Sequence, residues 1–256
     1  MRNGICKLCL RRRQLCDSHA LPNSAFNYIF RKNAGKAKVI TDDVTTPARN
    51  SSDSWDVALL CEDCEKKLNR KYDAYGMAVF RGQEGKVRAD HAGVEVMNID
   101  RRRLRMFFLS VVWRVSVSDH PNYSNIDLPH AWEEELRRAF GEERTIPGSR
   151  YTVALYKMRD STPSGGFSNE DLRSFIAAPF GRSYGSFVSV CFPFMSFFVE
   201  IFFPCAPAPF AKRRGVLFGR SPVLPMPYVE VFDIPEIMNT LISAVRKELA
   251  EPHSAA

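Results

Sequence analysis

Cys6-Lys7-Leu8-Cys9, then Cys16-Asp17-Ser18-His19-Ala20-Leu21-Pro22, then Leu59-Leu60-Cys61-Glu62-Asp63-Cys64-Glu65 decide how the first quarter of this chain is read. Each Cys-x-x-Cys pair is spaced to put two thiolates on one tetrahedral ion, and the two pairs together supply a full set of four ligands. Cys6, Cys9, Cys61 and Cys64 are therefore the expected ligands of a structural Zn²⁺. The alternative is that they are plain buried thiols, and paired spacing at both places weighs against it. Cys16, outside both pairs, is expected in the core.

Working outward, Cys61, Cys64, Leu68, Tyr72 and Tyr75 recur at helical spacing, which predicts a helix from about Glu62 that Gly76 would end. Its N-terminus, with unpaired amides and a positive dipole end, favours the thiolate form of Cys61 and Cys64. Before it, residues 1–30 predict a cysteine knuckle, a short hairpin through Arg11-Arg12-Arg13-Gln14 and a return segment carrying His19. Residues 31–54 are rich in Lys, Asn, Thr and Ser and predict an irregular insertion. A knuckle, a hairpin and a helix whose start completes the metal site form a treble-clef, ββα arrangement.

The chain has 256 residues and a formal charge of +7, enough length for a small metal module and one larger domain. Residues 1–75 hold 14 Lys and Arg against 9 Asp and Glu, while the remainder holds 22 against 20. The positive excess thus travels with the cysteine module, which suits a polyanion such as nucleic acid; a solvated basic surface explains the charge equally well. Five of the seven cysteines precede residue 65, and no charged-then-apolar leader precedes them, so metal thiolates in a reducing, cytoplasmic setting are expected rather than disulfides. The longest apolar stretch, Ser186 to Phe210, is broken by Pro193, Glu200 and Pro204 and is expected to form paired strands, not a membrane span.

The division expected is a zinc module over residues 1–76 and a larger α+β domain over 77–256. In the latter, residues 77–98 predict a hairpin or connection. Asp100 caps a broad apolar helix to about Ser116, and a second helix runs from Pro129 to Phe140. Tyr151–Met158 reads as a strand, and Ser168-x-x-Asp171 opens a short helix. Phe187–Phe192 and Phe197–Phe203 are expected as antiparallel strands around Pro193, and Pro235 to Leu249 as a last helix with Ile237, Leu241, Ala244, Val245 and Leu249 inward. Phosphate contact and a helix-start fringe both account for Arg101, Arg102, Arg103 and Arg105; their conflict with the helix dipole favours the first.

Cys6/Cys9, Ser18-His19, Pro22, and Leu60-Cys61 to Cys64 followed by a helix resemble, in that order, the HNH endonuclease family. The resemblance covers residues 1–75 and implies a ββα-metal nuclease core. It implies that His19 is the general base that deprotonates the attacking water, a task for a group titrating near neutrality. Ser18 stands where the family carries the Asp that helps hold a divalent ion. Asp17 beside it, with Glu65 and Asn69 on the following helix, are the residues that match or compensate, and Asp73 would continue the same exposed face. Asp56 is nearest to the family's supporting asparagine and would orient His19 through its second ring nitrogen. A substitute fourth metal ligand or a packed structural histidine for His19, and a solvated helix face for Glu65 and Asn69, are the alternatives.

The function this implies is metal-dependent hydrolysis of phosphodiester bonds, with structural Zn²⁺ and catalytic Mg²⁺ or Mn²⁺. The alternative is a catalytically inactive zinc-binding adaptor for nucleic acid or protein. The expected partner is nucleic acid, DNA ahead of RNA, contacted by Arg11, Arg12 and Arg13, with a protein partner through the C-terminal domain as a further expectation. No membrane association is expected, and symmetric double-strand cutting would call for a homodimer.

Overall fold

In the computed structural model, residues 2–39, 49–163, 166–217 and 221–250 are described. The chain opens with antiparallel strands β1 (Arg2–Ile5) and β2 (Arg12–His19), Arg2 lying opposite Leu15. Between them Cys6 to Leu10 turn tightly: the Leu10 amide donates to the Cys6 carbonyl at 2.9 Å, and Leu10 adopts φ +60°. Next come α1 (Asn23–Lys32) and the short pair β3 (Ala37–Val39) and β4 (Arg49–Ser51). Residues 31–54 are thus not simply irregular, since β3 pairs with β4 within them; α1, almost all before residue 31, forms because Ala25, Phe26 and Ile29 share one buried face, a pattern too short to stand out in the sequence. Residues 40–48 lie outside the described residues.

Strand β5 (Asp56–Cys61) pairs with the free edge of β2, giving the order β1-β2-β5, and runs straight into α2 (Glu62–Leu68). The helix does not stop at Gly76. It passes through a π-helical turn, Asn69–Asp73, and continues as α3 (Ala74–Phe80). Gly76 serves packing: a Cβ there would lie 2.5 Å from ring carbons of Phe107, so only a glycine lets the two helices come this close.

The remainder builds a seven-stranded sheet from β6 (Lys86–Asp90), β7 (Gly93–Met97), β8 (Thr152–Arg159), β9 (Phe180–Ser183), β10 (Val188–Phe194), β11 (Phe197–Phe203) and β12 (Val223–Glu230). Their order is β6-β7-β12-β8-β11-β10-β9, antiparallel throughout except between β12 and β8. The helices are α4 (Arg101–Ser116), α5 (His130–Gly141), α6 (Asn169–Arg173), α7 (Ala208–Ala211) and α8 (Pro235–Ala250). The expected caps are present: Asp100 accepts from the Arg103 amide at 2.9 Å, and Ser168 and Asp171 close a capping box. The turn between β10 and β11 falls at Met195 and Ser196, both at positive φ, and not at Pro193. Pro193 pairs with Phe198 beyond the point where β9 ends opposite Cys191, a position with one strand neighbour instead of two. Within α8, Ile237 is buried; Ala244, Val245 and Leu249 lie outside the residues whose side chains are described.

The molecule is a mixed α+β structure. Helix α4 is buried almost all round and sits between the cysteine region and the large sheet, its Phe107 and Phe108 against Phe194. One continuous apolar cluster runs from Cys6, Leu60 and Leu68 through α4 to Phe203 and Met226, and the boundary expected after residue 76 falls inside α3. Ser186 to Phe210 supplies paired strands, and among the described residues no helix is long and apolar enough to cross a membrane.

Candidate metal centre and the polar cluster beside it

The knuckle and the start of α2 bring Cys6, Cys9, Cys61 and Cys64 together, with their Sγ atoms all within 4.8 Å of one another. A tetrahedral ion bound at about 2.3 Å would separate its sulfurs by nearly 4 Å, so the four thiols fit a structural metal ion. Cys61 is the N-cap of α2, and its amide donates to the Cys6 sulfur at 3.3 Å. The Cys64 thiol, one turn into the helix, hydrogen-bonds Cys6 and holds the Cys6 thiol down to about 4, while the same contact pushes Cys64 up. Cys16 lies elsewhere on β2, opposite Leu60, and burial raises its pKa.

His19 closes β2, opposite Asp56 on β5. Its Nε2 is 2.9 Å from Ser54 Oγ, and Ser54 donates to Asp56 Oδ1 at 3.0 Å. With the serine proton committed to the carboxylate, the serine oxygen accepts from Nε2–H, and Nδ1 keeps its lone pair. Asp56 therefore orients His19 through Ser54 and not directly, its carboxylate being 4.0 Å from Nε2. Ser54 was not singled out in the sequence. It turns toward His19 because Trp55 takes φ +59°, a conformation held by an Asp53 side chain that accepts the Trp55 amide at 2.8 Å. Trp55 in turn is buried edge-on to Phe26 and Tyr123. Burial keeps the His19 pKa below the ordinary value; Asp56 opposes this, and the nearby Arg114 charge adds to it.

Glu65, Asn69 and Asp73 do not share an exposed face. The π turn inserts an extra residue per turn, which rotates Asp73 inward. Asp73 is 5 % exposed and accepts two bonds, at 2.7 and 2.8 Å, from Arg114 of α4, itself 1 % exposed. Arg114 also donates to the His19 carbonyl at 3.0 Å, tying α4 to the end of β2. Glu65 is half-buried. Burial raises its pKa, Arg114 and the Ser18 hydroxyl pull it back, and its Oε2 has no hydrogen-bond partner among the described residues. Ser18 is fully buried, accepting from the Leu60 amide at 3.2 Å and donating to the Cys16 carbonyl at 3.4 Å.

Asn69 is exposed and lines, with Glu65, Lys66 and Arg70, an open groove along α2. Asp17, Arg11, Arg12 and Arg13 are exposed on or before β2. In the second arginine run, Arg101, Arg103 and Arg105 serve the fold, and Arg102 is exposed. Arg101 donates to the Val216 carbonyl at 2.7 Å, Arg103 to that of Lys71 at 2.6 Å, and buried Arg105 to that of Ile146. Comparison with protein-family models, with curated proteins and with solved structures finds no match.

Proposed function

We propose that the protein is a metal-dependent endonuclease of the HNH type, hydrolysing phosphodiester bonds of nucleic acid, DNA ahead of RNA, with His19 as general base. The observation that carries this reading is the chain from Asp56 through Ser54 to His19, which fixes the ring and leaves Nδ1 as its unprotonated nitrogen. Burial supports the same role, since it keeps the imidazole neutral near pH 7. The pairing of β2 with β5, which runs straight into α2, supports reading these three as the strands and helix of a ββα module with α1, β3 and β4 inserted between its strands, and with Zn²⁺ on the four cysteines as its structural ion.

Glu65 is the residue that would hold a catalytic Mg²⁺ or Mn²⁺. Its unpartnered Oε2 fits that task, and one carboxylate with substrate phosphates is a sufficient donor set for Mg²⁺. Ser18 is a buried neutral hydroxyl that accepts from the Leu60 amide and supports the Glu65 carboxylate, a weaker donor for a hard cation than the Asp it replaces, and Asp17 and Asn69 stand at the exposed margin. Such an ion, when bound, stabilises charge building on the phosphate. The chain's own residues do the rest: His19 takes the proton of the attacking water, and exposed Arg11, Arg12 and Arg13 meet the phosphate backbone.

The test is cleavage of plasmid, single-stranded DNA and RNA with Mg²⁺ or Mn²⁺, comparing wild type with His19→Ala at matched zinc content. Cutting by wild type that disappears in the variant is expected; no cutting of any substrate by zinc-loaded wild type overturns the reading. A second reading, an inactive zinc-binding adaptor, is favoured by one observation. The position matching the family's metal-binding Asp is a fully buried serine. Nucleic-acid binding without cutting, unchanged in His19→Ala, would select it.

A further inference from the structure

A cavity of about 250 Å³ opens where the end of α3 meets the β6–β7 hairpin and the middle strands of the large sheet. Phe80, Val94, Val96, Leu104, Phe197 and Met226 supply apolar walls. Its charged lining is one-sided: among the described residues Lys157, Arg173 and Arg81 are present, and no carboxylate is. Lys157 projects from β8, and its ammonium bonds Ser196 Oγ at 2.5 Å and Asn169 Oδ1, and lies 4.9 Å from the Phe197 ring centre. All these partners are neutral. Arg173 packs over the Tyr28 ring at 5.2 Å, and among the described residues neither cation has a carboxylate within ion-pair distance.

A cation withdrawn from water without a counter-charge is costly, and an anion brought into the same place removes that cost. Burial, with Arg173 adding to it, lowers the Lys157 pKa to about 8. Apolar walls joined to a few convergent polar groups are the usual composition of a small-molecule site, and this cavity is slightly below the range of about 300–1,000 Å³ that holds drug-sized ligands. We propose that the cavity binds a small amphipathic anion, its alkyl chain or single ring against Phe80, Val96 and Met226 and its carboxylate or phosphate between Lys157 and Arg173. The proposal is independent of the nuclease reading, since none of these residues belongs to the His19 cluster.

Methionine methyl NMR on the full-length chain tests it, because Met195 and Met226 both line the cavity. Octanoate and octyl phosphate are titrated separately to distinguish the two headgroups, with octanol and inorganic phosphate as the neutral and headgroup-only probes. Saturable shifts at Met226 with at least one of the octyl anions are expected, weakened tenfold or more in Lys157→Gln. Absence of saturable shifts with both anions, equal binding by Lys157→Gln, or octanol or inorganic phosphate binding as tightly as the octyl anions would each overturn the proposal. If Lys157→Gln does not fold by circular dichroism, Arg173→Gln is judged by the same criterion.

Discussion

Around the β1-β2-β5 sheet, the buried set mixes Leu8, Leu59 and Leu60 with Cys6, Cys61 and Cys64 of the thiol cluster, Ser18, and the Asp73–Arg114 pair. Behind β10 and β11 it includes Phe192, Phe194, Val199 and Phe203, with the Phe107 ring 5.9 Å from Phe194 and the Tyr151 ring 5.0 Å from Phe203, and the buried carboxylate of Glu200 alternates with Val199 and Ile201 onto the other face of β11. The Oε1 of Glu200 accepts there from Tyr184 and Ser189, at 2.7 and 2.8 Å, whereas the buried Oε2 of Glu65 in the first region has no partner among the described residues. The second region spends its polar groups on one another. The first leaves some unspent, and unspent buried polar groups mark sites of chemistry more often than sites of packing.

The largest break in this comparison comes from removing metal. Structural zinc contributes on the order of 10–16 kcal/mol to small metal-dependent folds. Chelation is therefore expected to strip hydrogen-exchange protection from β2, β5 and α2 while β8, β10 and β11 keep theirs. Equal protection in both regions after chelation would remove the metal from the account of the fold. Next in size is Asp73→Ala, which leaves Arg114 buried and unpaired and should cost about 3–5 kcal/mol in urea unfolding. A loss below about 1 kcal/mol would mean that the pair is hydrated in solution.

Gly76→Ala tests the contact between the two regions, because the added methyl meets the Phe107 ring. An overpacking cost of about 1–3 kcal/mol is expected from thermal unfolding, and a neutral result would show α3 and α4 free to move apart. The smallest effect on stability, with the opposite sign, belongs to Glu65→Gln. The folded Glu65 carboxyl has a raised pKa, so stability is lost as pH rises from the ordinary carboxylate value through the folded one. The amide removes that loss, and the variant should be slightly more stable than wild type at pH 7 while metal-dependent cutting falls. A variant that is less stable and cuts normally would place Glu65 among the structural residues.

The elements best legible in the sequence carried their signals locally. The two cysteine pairs, the Asp100 cap and the Ser168–Asp171 box each lie within a few residues of chain, and the breadth of α4 follows from Leu104, Phe107, Phe108, Val111 and Val112 occupying successive turns. Gly76 misled because a glycine near a helix end reads as a stop, and nothing nearby in the chain announces the Phe107 ring that requires it. Arg101, Arg103 and Arg105 misled in the same way. Their carbonyl partners come from Val216, Lys71 and Ile146, distant in sequence, so three arginines of a basic run looked free when they were engaged.

The amino-acid sequence by itself determined which thiols can meet, where most helices begin and where the aromatic strands lie, because spacing and periodicity act between neighbours along the chain. Only the tertiary structure decided that Ser54 stands between His19 and Asp56, that Asp73 faces Arg114 and not solvent, and that Lys157 lines a cavity with no carboxylate among the described residues around it. Those outcomes depend on solvation and on partners such as Arg114, 41 residues from Asp73 and 95 from His19, and a side chain's charge state and partners are set by what surrounds it in space.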